Sequence, residues 1–423
     1  MSDASEFSVF AQHESNDRSY CRSFPALFAR AKGPLLYTAT GQEYIDFFAG
    51  AGTLNYGHNP EYIKHKLLAY IEHDGISHGL DFYTEAKRDF ITAFTRGVLA
   101  PRGLDYKLQF SGPTGANAVE AALKLARRVT GRQGVFTFMG AYHGLSLGSL
   151  AVTANAGMRA AAGTGLHDAS FMPYPDGRIA GVDSLAYIDY VLGDTHSGFE
   201  LPAAIIVETI QAEGGIVVAP IAWLKGLRAL CDRHGIVLVC DDIQVGCHRS
   251  GPYFSFERAG ITPDIVTLSK SISGYGLPMS LVLFKPELDA WKPGEHTGTF
   301  RGNQLAFIGG TAAIELAASL DIEAMVARKQ RLFETFLNER IKPLHPGLAV
   351  RGLGMVWGVD CAAVSDTLAE RVSARCFELG LVLETAGRKG SVLKFLPPLV
   401  TDDEVLARGF AIVERALKDC LHA

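Results

Sequence analysis

Two residues of this chain could perform chemistry together, an aspartate and a lysine that each follow a short apolar run. Asp241 ends the run 236–240, and Lys270 follows the run 265–269. A lysine amine that is partly removed from water has a lowered pKa and can act as a nucleophile and a base. A carboxylate at a neighbouring strand end can hold a positive charge on a ring nitrogen, so that the ring accepts electrons. The alternative is that Lys270 is a solvated charge, as a lone lysine after a strand usually is.

A glycine-rich segment, 110–117, follows one predicted strand and begins a predicted helix. Backbone N–H groups at a helix start can bind a phosphate, and the helix dipole favours the negative charge. The segment lacks the GK[ST] of a P-loop and a complete GxGxxG motif. An ordinary strand-to-helix turn is therefore the alternative to a phosphate site.

A second glycine-flanked loop carries Tyr142 and His143 directly after the predicted strand 134–138. An aromatic ring beside a loop glycine could stack on a flat cofactor. Taken alone, such a pair packs on the surface or in the core more often than it functions.

Carboxylates follow two further predicted strands. Glu208 and Glu213 follow the run 203–207, and the carboxyl ends of parallel strands are where α/β sheets bind ligands. A solvated loop is the alternative. Asp241 and Asp242 are predicted to point to opposite faces because side chains alternate along a strand, so only one of them can face a ligand.

Length, composition and charge limit the class of protein. A chain of 423 residues is long for one core, so a large domain and a smaller one are expected. The net charge of −5, without a long basic run, argues against nucleic acid or an anionic membrane as a partner. Residues 1–16 lack the apolar core of a signal peptide, and no window approaches the roughly 18 apolar residues of a membrane span. These features predict a cytoplasmic protein.

The cysteines and histidines do not form a metal-binding pattern. Seven cysteines are scattered without a CxxC pair, and thirteen histidines occur without HExxH. We therefore predict reduced core thiols rather than disulfides, and no metal site.

Strand-like and helix-like stretches alternate between about residues 60 and 315, which is typical of a parallel sheet covered by helices. The last hundred residues suggest a compact α+β unit. We predict residues 61–315 as the large domain, with 1–60 and 316–423 together forming the smaller one. The predicted strands of the large domain are 107–110, 134–138, 203–208, 236–241, 265–269 and 280–284. A single long helix is predicted over 306–341.

In this order and spacing the segments resemble the class III (ω-amino) aminotransferases, which are fold type I enzymes that use pyridoxal 5′-phosphate (PLP). The resemblance covers nearly the whole chain, from Gly41 to Leu399. It implies a large domain with a mostly parallel seven-stranded sheet covered by helices, plus a smaller α+β domain from both termini. The strings that carry it include FFAGAGTLNYGH (47–58) and the segments 23–25, 79–81, 101–107, 112–126 and 268–278.

The resemblance also implies roles for individual residues. Lys270 would be the Schiff-base lysine and Asp241 the partner of the pyridine nitrogen. Thr299 would reach the phosphate of the neighbouring subunit, which implies a homodimer with shared active sites; pairing of dimers stays open. The other implied cofactor contacts are Gly115, Ala116 and Asn117 at the phosphate, Tyr142 and His143 at the ring, and Gln244 near the ring hydroxyl.

Two departures from the family pattern concern the substrate carboxylate and the phosphate loop. Where many class III enzymes have a carboxylate-binding arginine before Phe-x-Pro-Pro-Leu, this chain has Lys394, and a lysine cannot clamp a carboxylate bidentately. Glu213 matches the residue that pairs with that arginine in ornithine-type enzymes and swings away for the second substrate. Ala116 replaces a hydroxyl residue that is usual in the phosphate loop.

The resemblance is greatest to the branch that opens ectoine biosynthesis. It implies amino transfer from L-glutamate to L-aspartate 4-semialdehyde, which gives L-2,4-diaminobutyrate and 2-oxoglutarate. The alternatives are another ω-amino donor (ornithine, 4-aminobutyrate or lysine) or a product of secondary metabolism. A PLP racemase or mutase, and a catalytically inactive or nucleotide-binding α/β protein, are the more distant ones.

Overall fold

The computed structural model describes residues 7–422, and the first six residues of the predicted segment 1–60 lie outside the described residues. The strands are β1 (Phe28–Lys32), β2 (Leu35–Thr38), β3 (Glu43–Asp46), β4 (Lys107–Gly112), β5 (Val135–Phe138), β6 (Ala169–Met172), β7 (Ala204–Val207), β8 (Ile210–Gln211), β9 (Val217–Val218), β10 (Val237–Asp241), β11 (Ile265–Leu268), β12 (Ser280–Phe284), β13 (Ala349–Leu353), β14 (Val356–Asp360), β15 (Leu381–Val382), β16 (Glu384–Ala386) and β17 (Val392–Phe395).

The helices are α1 (Ser8–His13), α2 (Tyr20–Ser23), α3 (Ala49–Gly52), α4 (Glu61–Glu72), α5 (Glu85–Phe94), α6 (Gly115–Thr130), α7 (Leu147–Ala151), α8 (Ala156–Ala160), α9 (Ser184–Gly193), α10 (Ile221–His234), α11 (Gln304–Leu320), α12 (Ile322–Phe336), α13 (Leu368–Glu378) and α14 (Asp403–Leu421). Of these, α3 is a single turn of left-handed backbone, since all four of its residues have positive φ.

Seven strands form the central sheet, in the order β4-β12-β11-β10-β7-β5-β6. Strands β11, β10, β7, β5 and β6 run parallel, and β12 is antiparallel to both of its neighbours. The predicted mostly parallel sheet is therefore confirmed. The six strands predicted for this region all occur in it, whereas β6 was not predicted from the sequence.

Helices cover both faces of this sheet because successive side chains of its strands point in opposite directions. Along β10, Val237 and Val239 pack in a cluster with the apolar face of α6. Between them, Leu238 packs in a different cluster that includes side chains of α9 and α10. Burial on both faces explains why β10 is apolar up to its last residue.

The two ends of the chain meet in a second sheet, ordered β1-β2-β3-β15. Strand β15 pairs parallel with β3, with Leu381 opposite Ile45. A third sheet, β13-β14-β17-β16, lies wholly within the C-terminal segment. The smaller α+β unit from both termini is thus confirmed, while the boundaries at 60/61 and 315/316 stay predictions. The second of these boundaries falls within α11.

The prediction of one helix over 306–341 is wrong. Asp321, with φ of 46°, ends α11 and begins α12. Left-handed backbone cannot continue a right-handed helix, and aspartate is among the residues that adopt it most readily.

Other expectations concern cysteines, metals and membranes. Among residues 7–422 no group of three or more candidate ligands could hold a metal ion. Six of the seven free cysteines are buried as predicted, and Cys21 is exposed. No single helix in the described chain has the length and apolar character to cross a membrane, although α11 and its successor pass that test as a pair bent by 69°. The cytoplasmic location stays a prediction.

Candidate active site

A cavity of about 500 Å³ lies where β5, β7, β10 and β11 end. This is the position at which parallel α/β sheets bind ligands. Eight of the predicted site residues line it: Gly115, Ala116, Tyr142, His143, Glu213, Asp241, Gln244 and Lys270. The structure therefore brings together residues that are up to 155 positions apart in the sequence.

Asp241 is the last residue of β10 and is held by three contacts. Its Oδ2 lies 2.6 Å from His143 Nδ1, and its Oδ1 accepts hydrogen bonds from Ile243 N at 3.1 Å and Thr267 Oγ1 at 3.2 Å. The side chain of Thr267 is close because β10 and β11 pair with Asp241 opposite Thr267. A buried carboxylate fixed in this way presents its negative charge at one place in the cavity.

Asp242 points to the other side of the strand, as its alternation with Asp241 predicts. It is fully buried, and its Oδ2 accepts a hydrogen bond from Ser255 N at 2.9 Å. Burial raises the pKa of the Asp242 carboxyl to about 7. Below that pH, Asp242 adds no full negative charge beside Asp241.

Lys270 occupies a left-handed position, with φ of 48°, at the start of a short 3₁₀ turn. Its Nζ donates a hydrogen bond to the carbonyl oxygen of Ala51 at 2.9 Å. Burial lowers the pKa of the Lys270 amine, although Glu213 opposes that effect. A lysine in the left-handed region is uncommon and is often part of a functional site.

The carbonyl oxygen of Ala51 was not predicted as part of the site. It accepts hydrogen bonds from both Lys270 Nζ and Gln244 Nε2, each at 2.9 Å. It points towards them because α3 is left-handed. The glycines of FFAGAG were the one available signal, since glycine favours positive φ.

The N-terminus of α6 forms the wall of the cavity beside Gly115 and Ala116. The first N–H groups of a helix have no partner within the helix and can bind an anion. Asn117 does not line the cavity. Its Oδ1 instead accepts hydrogen bonds from Thr114 N and Oγ1, and its backbone N–H donates to Thr114 Oγ1. In this structure Asn117 is therefore a capping residue, and its contact with a phosphate stays a prediction.

The loop after β5 approaches the start of α6 closely. A Cβ atom added at Gly144 would lie 2.7 Å from Ser149 Oγ and 2.8 Å from Ala116 Cβ. Gly144 also has φ of 122°. Only glycine fits this position, which keeps the two loops of the cavity wall together.

Tyr142 and His143 extend the wall beyond Gly144. The Tyr142 N–H donates to Glu208 Oε2 at 3.1 Å. Burial, together with the charge of Asp241, raises the pKa of Glu208 well above its usual value. His143 Nε2 is buried and has no hydrogen-bond partner within residues 7–422. Glu208, which the sequence placed at a strand end without giving it a role, lines the cavity.

Lys394 lies behind Glu213, in β17, and none of its side chain is exposed. Its Nζ lies 2.5 Å from Glu213 Oε1 and 2.7 Å from Glu384 Oε2. Burial would lower the pKa of Lys394, but the two carboxylates outweigh burial and raise it. Burial would raise the pKa of Glu213, but Lys394 and Lys270 outweigh it and lower that pKa to about 2.

Glu384 was missed by the sequence reasoning. It is the direct cross-strand neighbour of Lys394 in the β16–β17 pair. Only the register of that pair could have identified it, because the two residues are ten positions apart in the sequence.

Thr299 does not line the cavity of its own chain and is exposed to solvent.

The family model described as "Aminotransferase class-III" matches residues 18–417. This chain belongs to the class III aminotransferases. It is therefore a PLP-dependent transaminase.

Individual relatives of this aminotransferase are similar over their whole length. A diaminobutyrate--2-oxoglutarate transaminase from Bordetella parapertussis is 53% identical over 419 residues, which are 98% of this chain and 96% of that protein. A transaminase of the same name from Vibrio cholerae is 51% identical over 413 residues, which are 97% of this chain and 99% of that protein. The solved ornithine aminotransferase from Toxoplasma gondii has a TM-score of 0.85 at 24% identity, covers 98% and 94% of the two chains, and supports the fold.

The residues of the cavity fit PLP. A lysine amine with lowered pKa, a fixed buried carboxylate, an aromatic side chain and a helix N-terminus all border the same space. The buried His143 Nε2 also has no hydrogen-bond partner within residues 7–422. The residues that the resemblance places at the phosphate (Gly115 and Ala116), the ring (Tyr142) and the ring nitrogen (Asp241) all line this cavity.

Proposed function

We propose that this aminotransferase moves an amino group between L-glutamate and L-aspartate 4-semialdehyde, and so produces 2-oxoglutarate and L-2,4-diaminobutyrate reversibly. The names of the Bordetella and Vibrio relatives support the proposal. The observation that carries it is the Glu213–Lys394 ion pair at the cavity. This pair could present either a covered or an exposed cation to the two different substrates of one site.

Lys270 performs the proton transfers. Burial lowers the pKa of its amine, so a larger fraction is neutral and can take a proton from the substrate carbon that bears the amino group. Bound PLP supplies the electron sink that stabilises the charge left on that carbon. Asp241, fixed by His143, Ile243 and Thr267, holds positive charge on the ring nitrogen.

Glu213 and Lys394 distinguish the two substrates. With Glu213 on Lys394, the cation is covered and the cavity accepts the ω-amino compound. When Glu213 withdraws, the Lys394 ammonium can bind a carboxylate of L-glutamate or 2-oxoglutarate. Gln244, whose Nε2 donates to Glu213 Oε1 at 3.1 Å, steadies the covering position.

Product analysis tests the proposed reaction. PLP-loaded protein incubated with L-2,4-diaminobutyrate and 2-oxoglutarate should form L-glutamate, and omission of 2-oxoglutarate should stop the reaction. Lys270→Ala is the matched control and should form none. Turnover of diaminobutyrate without a keto acid would instead indicate a racemase or mutase.

We further propose a homodimer with shared active sites. Thr299 is exposed, and the adjacent Phe300 is 70% exposed. The Phe300 ring lies 5.2 Å from the ring of His78, close in the chain to the exposed Phe82 and Tyr83. An exposed apolar surface of this kind is typical of an interface, and it would carry Thr299 towards the partner's cavity.

Mixed subunits test this arrangement. Thr299→Ala and Lys270→Ala proteins should each be impaired, the first in PLP affinity and the second in turnover. If Thr299 acts on the partner's site, a mixed dimer has one site with both changes and one site with neither. Mixing should therefore restore up to half of the wild-type activity per mixed dimer. If mixing restores nothing, Thr299 does not act across the interface.

A further inference from the structure

Lys394 has two carboxylate partners that differ in what holds them. Glu213 lies in the segment after β8 and lines the cavity. Glu384 lies in β16, directly opposite Lys394 in the sheet, and does not line the cavity. The side chain of Glu213 is 27% exposed and that of Glu384 is 10% exposed. Glu213 thus borders a space into which its side chain could move, whereas strand pairing holds the backbone of Glu384 opposite Lys394.

The charges of the cluster depend on where Glu213 lies. With Glu213 in contact, two carboxylates and one ammonium give a net charge of −1. With Glu213 withdrawn, Lys394 and Glu384 still balance each other. Removal of the only partner of a buried charge is strongly destabilising, so Glu384 makes the withdrawal of Glu213 energetically accessible.

Arg249 is a buried cation that, in the described chain, is held by neutral acceptors instead of a carboxylate. It is fully buried and donates hydrogen bonds to the carbonyl oxygens of Met355 and Pro397 and to Asn55 Oδ1. Burial lowers its pKa to about 9. Within residues 7–422 Lys394 has no such set of neutral acceptors, and without Glu384 it would stand as an uncompensated cation whenever Glu213 moved away.

We infer that Glu384 is a specificity-determining residue that acts through Lys394. It keeps the ammonium partly neutralised after Glu213 withdraws and so weakens the binding of dicarboxylates. The Lys394 ammonium lies 2.7 Å from Glu384 Oε2, so a substrate carboxylate that replaces Glu213 shares the ammonium with Glu384. Dicarboxylates therefore bind loosely enough to leave the site open to the ω-amino substrate. This inference rests on the proposed function.

The test compares Glu384→Gln with wild type in the PLP-loaded enzyme. Glutarate, a dicarboxylate without an amino or keto group, serves as a non-reacting probe whose binding is followed by cofactor absorbance or calorimetry. Loss of one negative charge beside Lys394 should lower the Kd for glutarate about tenfold. The KM for 2-oxoglutarate should fall similarly, while kcat/KM for diaminobutyrate should not rise. Glu384→Asp keeps the charge and should remain near wild type.

The control is Glu378→Gln, an exposed carboxylate paired with Arg375 at the end of α13. For Glu384→Gln, a glutarate Kd within about twofold of the wild-type Kd overturns the inference. A parallel loss of kcat for all substrates in Glu384→Gln does so too, and either result leaves Glu384 a structural residue.

Two further results keep the test decisive. If Glu384→Gln does not fold, Glu213→Gln is measured instead. Because Glu384 still balances Lys394 in that variant, its affinity for glutarate should rise less than about threefold. A rise above about tenfold overturns the inference. A wrong substrate pair would appear as lack of diaminobutyrate turnover by wild type. Glutarate binding does not depend on that turnover, so the two failures are distinguishable.

Discussion

Asp242 provides a quantitative test of how the end of β10 is built. Its carboxyl has a pKa of about 7 in the folded protein, compared with a usual value of 3.8. Because the folded pKa is raised, the stabilising contribution of protonated Asp242 is complete below 3.8 and is lost as the pH rises to about 7. Below about pH 7, protonation of Asp242 leaves Asp241 the dominant negative charge at the strand end.

The magnitude follows from the pKa difference. Each pH unit between the two pKa values is equivalent to about 1.4 kcal/mol. Between about pH 5 and pH 8 wild type should therefore lose about 3 kcal/mol of unfolding free energy through Asp242, and almost nothing further at higher pH. Asp242→Asn cannot ionise and should not show this loss. The variant buries an amide N–H where Oδ1 has no partner in the described chain, at a pH-independent cost of about 1–3 kcal/mol.

The assay is urea denaturation of both proteins at about pH 5 and pH 8, with the difference between the proteins compared across the two pH values. Groups that titrate in both proteins cancel in this comparison. Glu370→Gln, an exposed carboxylate on α13, is the control. Infrared spectra provide a second readout, because a protonated carboxyl band that titrates near pH 7 should be present in wild type and absent in Asp242→Asn. An unchanged difference between the proteins at the two pH values would refute the argument.

Two further variants test the cavity wall. Asn117→Ala removes half of the capping box of α6 and should lower the unfolding free energy by about 1 kcal/mol. Its PLP affinity, measured by absorbance titration, should change less than about threefold. A loss of PLP affinity above about tenfold would show that Asn117 contacts the phosphate. Gly144→Ala places a Cβ 2.8 Å from Ala116 Cβ in backbone with φ of 122°. It should therefore weaken PLP binding at least about tenfold. Unchanged PLP affinity would show that the close approach of this loop to α6 does not shape the site.

Local sequence patterns were sufficient for the residues that end strands. Asp241 and Lys270 follow apolar runs, and parallel strands bring their carboxyl ends to one edge of a sheet. The opposite directions of Asp241 and Asp242 follow from the two-residue period of a strand. Such placements need only the identity of the element and its end.

The missed features depend on information that local patterns do not hold. The pairing of Glu384 with Lys394 requires the register of β16 on β17. The carbonyl of Ala51 reaches Lys270 only because α3 is left-handed. Asn117 could serve a phosphate or a cap equally well by type, and its reciprocal hydrogen bonds with Thr114 show the capping role.

A competition between amino donors tests the central claim most directly. Wild-type, PLP-loaded enzyme receives equal concentrations of L-2,4-diaminobutyrate, L-ornithine, 4-aminobutyrate and L-lysine with limiting 2-oxoglutarate, and mass spectrometry follows the loss of each donor. Relative depletion in a mixture reports relative kcat/KM. We predict that diaminobutyrate is consumed first and accounts for nearly all of the L-glutamate formed. Faster loss of another donor would contradict the proposed substrate.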